Sequence, residues 1–260
     1  MRWRVLTFLF MGCGASRHAA TTREPPVAVA TPPSNAAPSP AATSEPSHGE
    51  HHHDHAHDEK AGYHMDFSEV ERFARHFDGP ERDAWQKPAE IVRFLELGSG
   101  QVVADIGAGT GYFLQHLSKA VGRQGRVIAL DVEPNMVEYM KQRSRQSALT
   151  NVEVRAAAPG DPGLLPASVD HILIVNTWHH IDDRANYSGK LARALRSAGS
   201  ILIVDFTLDA DMGPPKEHRL PAEQVVKELE GGGLRAEIVR GETLPKQYLV
   251  RGSLEKPASP

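Results

Sequence analysis

A glycine-rich segment constrains this chain more than any other part of its sequence. The apolar run Val102–Ala104 leads through Asp105 into Gly107–Gly111, and apolar residues at helical spacing begin at Tyr112. This pattern predicts a buried parallel strand, a loop and an amphipathic helix. Because glycine lacks a Cβ atom, such a loop turns tightly and lets a ligand approach its backbone, and N–H groups at a helix start favour an anionic group. The segment therefore predicts a ligand-binding unit.

A second predicted strand ends in an acidic residue. The run Arg126–Leu130 is mostly apolar and is followed by Asp131, and Pro134 then opens a further predicted helix. An acidic side chain at the tip of the second strand can accept hydrogen bonds from both hydroxyls of a ribose. The two strands and the intervening helix therefore predict a nucleoside site.

Further alternation of strands and helices extends the sheet. Leu191 and Leu195 mark one predicted helix face, which Gly199 is expected to end. The remaining predicted elements are strands at Val152–Arg155, Val169–Val175, Ile201–Asp205, Ala236–Val239 and Gln247–Val250, with a helix at Pro221–Glu230. The last two strands can form an antiparallel hairpin.

The glycine segment resembles motif I of the class I S-adenosylmethionine-dependent methyltransferases, an acidic-x-Gly-x-Gly-x-Gly pattern that follows a strand. A dinucleotide-binding dehydrogenase would have its third glycine where Tyr112 stands. The resemblance implies an α/β fold: a Rossmann-like, seven-stranded, mostly parallel sheet with helices on both faces and a C-terminal antiparallel hairpin. It implies S-adenosyl-L-methionine as the cofactor, with these contact residues: Asp105, Gly107, Ala108, Gly109, Thr110, Gly111, Asp131, Val132 and Asn176.

Two histidines follow the fourth predicted strand, at the edge of the sheet where ligands of open α/β folds bind. His179 or His180 could remove a proton from the methyl acceptor. The other interpretation of this pair is helix capping or structural hydrogen bonding. Where relatives place a Gly-Asp pair against the adenine, this chain has Ala157 and Ala158, so either Asp161 substitutes or the backbone alone holds the adenine.

The first sixty residues have a different character from the rest of the chain. Arg2 and Arg4 precede the apolar stretch Val5–Met11, and Cys13, the single cysteine, follows as in a lipoprotein leader. We expect a leader at 1–13, a disordered linker at 14–60 and the methyltransferase domain at 61–260. This leader predicts membrane anchoring in the bacterial cell envelope, or a cytoplasmic protein if the leader is not processed.

The linker contains a histidine tract. Five imidazoles interleaved with acidic residues could bind a divalent metal loosely. A specific zinc site needs four ligands on a folded frame, so a solvated tract is the other interpretation. The tract comprises His51, His52, His53, His55 and His57.

Charge limits the partners that we expect. The formal net charge is -4, and no basic block lies outside the N-terminus. This balance predicts no nucleic-acid partner and no membrane contact beyond the leader. By elimination, we expect the methyl acceptor to be a small organic molecule. The alternatives left open are a nicotinamide-dependent oxidoreductase and a non-catalytic lipoprotein that binds a cofactor or metal.

We expect calorimetric titration of the chain to show micromolar binding of S-adenosylmethionine and S-adenosylhomocysteine and no binding of NADH. Asp131→Ala should abolish this binding, because the variant loses both ribose hydrogen bonds. A preference for NADH would contradict the methyltransferase prediction and favour the oxidoreductase.

Overall fold

The computed structural model describes residues 78–239 and 244–254, together with Val70 and Ala74. The predicted leader (1–13), the linker with its histidine tract (14–60) and most of the segment before residue 78 lie outside the described residues.

The strands form one sheet in the order β3-β2-β1-β4-β5-β7-β6. The first five are parallel, and β7 runs antiparallel to both β5 and β6. The predicted fold class is therefore confirmed. The strands are β1 (Val102–Ile106), β2 (Arg126–Asp131), β3 (Val152–Ala156), β4 (Val169–Val175), β5 (Leu195–Phe206), β6 (Arg235–Ile238) and β7 (Gln247–Ser253).

Helices cover both faces of the sheet, because the strands are apolar on both sides. On one face of the sheet, Leu114 and Leu117 pack in a cluster with Val103. On the other face, Leu191 and Leu229 pack in a cluster with Ile172. The described helices are α1 (Arg82–Gln86), α2 (Pro88–Phe94), α3 (Leu114–Val121), α4 (Pro134–Gln146), α5 (Arg184–Ala194) and α6 (Ala222–Gly231).

The predicted end of the helix before β5 is wrong. Helix α5 ends at Ala194, and Leu195 begins β5 by pairing with Val169 of β4. A register shift follows, and Gly199 lies inside the strand, where an added Cβ would stand 2.7 Å from the Asp170 carbonyl oxygen. Pairing with β4 thus overrides the local helical spacing, and Gly199 allows two backbones to approach rather than ending a helix.

None of the described helices is both long enough and apolar enough to cross a membrane.

Substitution of two leucines tests how much core packing contributes to the free energy of unfolding. Leu173 in β4 is fully buried, whereas Leu165 is 73% exposed. We expect Leu173→Ala to lower the free energy of unfolding by about 2–5 kcal/mol, because it leaves a cavity between packed layers. The matched control Leu165→Ala should change it by less than about 0.5 kcal/mol. Equal effects in denaturant titrations would contradict the described core.

Candidate active site

The carboxyl ends of the parallel strands meet at one edge of the sheet. Ile106 at the end of β1 pairs with Leu130 of β2 and with Ile174 of β4. From β1 the chain builds the sheet outward in one direction through β2 and β3, and from β4 it builds in the opposite direction. The point between β1 and β4 is therefore a topological switch point, where open α/β sheets have a crevice for ligands. The glycine loop, Asp131 and the segment after Val175 therefore lie along the same crevice.

The glycine loop is held by its own backbone. The N–H groups of Gly107 and Ala108 both donate to the Leu130 carbonyl oxygen, at 2.8 and 3.0 Å, and that of Gly111 donates to Ala108 at 2.8 Å. Helix α3 begins only at Leu114. These three N–H groups therefore fix the shape of the loop and are not open to an anion.

The absence of a Cβ atom has a different consequence at each of two glycines in the loop. At Gly107, with φ +67°, an added Cβ would lie 2.3 Å from the Thr177 side chain, so the loop touches the segment after β4. At Gly109, with φ +56°, an added Cβ would meet nothing within 4 Å. Gly109 therefore presents bare backbone to open space, as the predicted cofactor requires.

Two buried carboxylates flank the loop. Asp131 accepts hydrogen bonds from Gly109 N–H at 2.8 Å and Glu133 N–H at 3.0 Å, whereas Oδ2 of Asp105 has no hydrogen-bond partner among the described residues. Burial, reinforced by the charge of Asp131, raises the pKa of Asp105 to about 7. Burial also raises the pKa of Asp131, although its backbone hydrogen bonds oppose the shift. An unsatisfied buried carboxyl fits a cationic ligand group.

Two other predicted cofactor residues have distinct surroundings. The Thr110 hydroxyl donates to Asp78 at 2.9 Å, and Asp78 forms an ion pair with Arg143 at 2.6 Å. The Thr110 side chain therefore anchors the loop. Val132, directly after Asp131, is 48% exposed and offers an apolar surface beside the predicted ribose position.

Three amides form a closed ring at the same edge. Gln86 donates to Gln247 at 2.6 Å, Gln247 donates to Asn176, and Asn176 donates to Gln86 at 3.2 Å. The ring joins α1 to the ends of β4 and β7. The predicted contact residue Asn176 thus lies at the edge with its amide in this ring. Sequence reasoning missed Gln247, for which no local signal exists.

The predicted catalytic histidines lie in a 3-10 turn after β4. His179 is buried, and its Nδ1 lies 2.9 Å from each carboxylate oxygen of Asp205 at the end of β5. The ring of His180, which is less buried, lies 4.2 Å from that of His179, between centroids. Sequence reasoning missed the role of Asp205, although an acid at the end of the neighbouring strand was the available signal.

Asp161, the alternative adenine contact, is engaged elsewhere. It accepts the Gly163 N–H at 2.8 Å, which lowers its pKa, and it pairs with Lys190 at 3.6 Å. Among residues 78–239 and 244–254, no group of three or more His, Cys, Asp or Glu side chains could hold a metal. The predicted metal tract lies outside this range.

Comparison with known proteins decides the family. Residues 97–248 match the methyltransferase domain family. The chain belongs to this family. A solved S-adenosylmethionine-dependent methyltransferase of Aquifex aeolicus is 29% identical, covers 73% of this chain and 98% of its own, and has a TM-score of 0.67. The prediction of a class I methyltransferase fold is confirmed, and the family match supports S-adenosylmethionine, rather than a nicotinamide, as the cofactor.

Curated relatives match this chain over part of their length. A demethylmenaquinone methyltransferase of Bacillus cereus is 25% identical over 130 residues, which are 50% of this chain and 54% of the relative. A tRNA (carboxymethyluridine(34)-5-O)-methyltransferase of Mus musculus is 26% identical over 168 residues, 64% of this chain and 23% of the relative. The chain thus spans about half the length of these relatives or less.

The raised pKa of Asp105 predicts a pH-dependent stability. Between about pH 4 and the folded pKa of about 7, the folded chain keeps a proton that the unfolded chain has lost. The free energy of unfolding of the cofactor-free protein should therefore fall as the pH rises through this window. Asp105→Asn should flatten that fall and raise the melting temperature at pH 8.

Asp161→Asn is the control, because Asp161 is exposed and its pKa is lowered. It should leave the fall in stability between pH 4 and 7 in place. An unchanged pH profile in Asp105→Asn, measured by thermal unfolding without cofactor, would show that burial does not raise this pKa.

Proposed function

We propose that this methyltransferase transfers a methyl group to a small organic acceptor whose attacking atom must first lose a proton. The bound S-adenosylmethionine supplies a methyl carbon activated by a sulfonium. Displacement at such a carbon is in line, so the protein's main tasks are to orient the acceptor and to take up its proton. The proposed cofactor residues lie along the glycine loop and at the end of β2.

The observation that carries this proposal is the hydrogen-bonded pair of His179 and Asp205. A carboxylate that accepts the Nδ1–H of a neutral histidine fixes the tautomer in which Nε2 carries the lone pair. The hydroxyl oxygen of Thr177, two residues earlier, lies 3.3 Å from the Gly107 carbonyl oxygen. This contact supports a position of the histidines next to the glycine loop, and hence next to the methyl donor.

The chemistry of the acceptor is inferred from charge and from the relatives. One relative is named for demethylmenaquinone and another for a tRNA uridine. The net charge of -4, without a basic block outside the N-terminus, favours a small molecule over a polyanion. A hydroxyl or an acidic carbon is the group that gains most from a base, because it holds its proton at neutral pH.

Replacement of the histidine should separate chemistry from cofactor binding. We expect His179→Gln to lower methyl transfer from radiolabelled S-adenosylmethionine to a panel of phenols and quinols by about 10²–10⁴-fold, because proton removal is lost. Asp205→Asn should also lower it, because the histidine loses its orienting partner. S-adenosylhomocysteine affinity should stay within about twofold in both variants.

His171→Gln is the matched control. His171 is also buried and lies earlier in β4, where it contacts the Ser200 hydroxyl at 2.9 Å. It should retain activity. Full activity in His179→Gln would overturn the proposed base, and a tRNA acceptor in place of any small one would overturn the proposed substrate class.

A further inference from the structure

The outer edge of β3 is open to another strand. β3 ends the sheet on one side, and β2 is its only partner among the described strands. The Val127 N–H donates to the Asn151 carbonyl oxygen at 2.9 Å, so the odd-numbered residues at β3 bond to β2. Because such residues alternate with residues that point away, Val152, Val154 and Ala156 direct their backbone groups to the open edge. An edge of this kind is a template for pairing with another chain.

The sequence of β3 is complementary to itself in charge. Glu153 and Arg155 flank Val154, and the side chains of both are partly exposed. In an antiparallel pair of two copies centred on Val154, the two Val154 residues exchange backbone hydrogen bonds. Glu153 of each copy then lies directly opposite Arg155 of the other, where opposite charges attract. The open edge therefore fits a second copy of itself.

An incompletely filled groove lies beside this edge, between β3 and α4. It encloses about 420 Å³, and Leu149, Val152 and Val154 form much of its apolar lining. These three side chains pack against the core but stay partly exposed. The buried Ser144 hydroxyl also borders the groove and has no hydrogen-bond partner within residues 78–239 and 244–254. A single copy therefore leaves apolar surface uncovered next to the open edge.

Helix α4 is complementary to itself across the same pair. The Glu138 carboxylate lies 3.7 Å from the Lys141 Nζ and 3.5 Å from the Arg145 Nη2, and all three side chains are exposed. The two-fold axis that sets the two β3 strands antiparallel also sets the two α4 helices antiparallel. Glu138 of each copy can then face the basic residues of the other copy. Charge complementarity of this kind fixes which surfaces associate.

The opposite edge strand, β6, fits a second copy less well. Arg235 and Glu237 have the same spacing there, so the strand alone does not discriminate between the two edges. Helix α6 beside it exposes Glu223 and Glu230 around Lys227. An antiparallel pair of α6 helices would bring Glu223 opposite Glu230, and these like charges repel. The charges therefore favour the β3 edge.

We propose that two copies of this chain associate through β3 as an antiparallel, two-fold symmetric pair that joins their sheets into one. The backbone hydrogen bonds at Val154 and the pairs of Glu153 with Arg155 fix the register. Helix α4 of each copy lies beside that of the other and covers its groove. Such a contact uses the same patch on both copies, so the assembly closes at two.

Sedimentation velocity of the full chain tests this dimer. We expect the unsubstituted chain to form a dimer at micromolar concentration. Glu153→Arg and Arg155→Glu each place like charges opposite one another, so either variant alone should raise the dissociation constant by at least about 10-fold. An equimolar mixture of the two variants should dimerise again, because every charge then faces its opposite. Recovery in the mixture also shows that both variants fold.

Glu237→Arg is the matched control. Glu237 is an exposed acid in the middle of the other edge strand, so its substitution should change the dissociation constant by less than about twofold. Hydrogen exchange adds a backbone readout. The Val154 amide should gain protection as the protein concentration rises, because its N–H is bonded to another strand only in the dimer.

Several outcomes would overturn the inference. These are a chain that stays monomeric, a dimer that both single variants leave intact, and a mixture of the variants that does not dimerise. Loss of the dimer in Glu237→Arg would place the contact at β6 instead. Protection of the Val154 amide that does not depend on concentration would mean that the same chain covers the β3 edge, which also contradicts the proposed dimer.

Discussion

The crevice is built around two buried carboxyl groups, those of Asp105 and Asp131. Keeping two carboxylates charged out of water at one edge of a sheet is costly, so each needs hydrogen bonds, a cation or a proton. Asp131 is compensated by the N–H groups of Gly109 and Glu133, and these same hydrogen bonds shape the glycine loop. Asp105 keeps a carboxyl oxygen without a hydrogen-bond partner among the described residues. The crevice therefore favours a ligand that brings positive charge.

The amide ring of Gln86, Asn176 and Gln247 links this charged region to the rest of the crevice. Buried amides are stable only when their donors and acceptors are satisfied, and here each amide donates to the next. The ring fixes α1 against the ends of two strands. Helix α1 carries Arg82, whose guanidinium carbon lies 3.8 Å from the centroid of the Tyr112 ring next to the glycine loop, while Asn176 begins the segment that leads to His179. One hydrogen-bonded unit thus orders both the proposed cofactor side and the proposed acceptor side.

Much of the fold could be predicted because its signals are local. The apolar run of β4 and the glycine loop after β1 are confirmed, since strand periodicity and the need for glycine in a tight turn depend on a few adjacent residues. The boundary at Leu195 was missed because a strand partner decided it. The sequence likewise does not show that the Leu130 carbonyl oxygen accepts hydrogen bonds from the N–H groups of both Gly107 and Ala108.

The sequence by itself determined the order of strands and helices, the glycine loop and the acids next to it. The tertiary structure alone decided which distant side chains meet: His179 with Asp205, and Asn176 with Gln247. The physical reason is register. A strand that slips by one residue turns its side chains to the opposite face, so these contacts depend on how β4, β5 and β7 align, and that alignment is set by packing over the whole sheet.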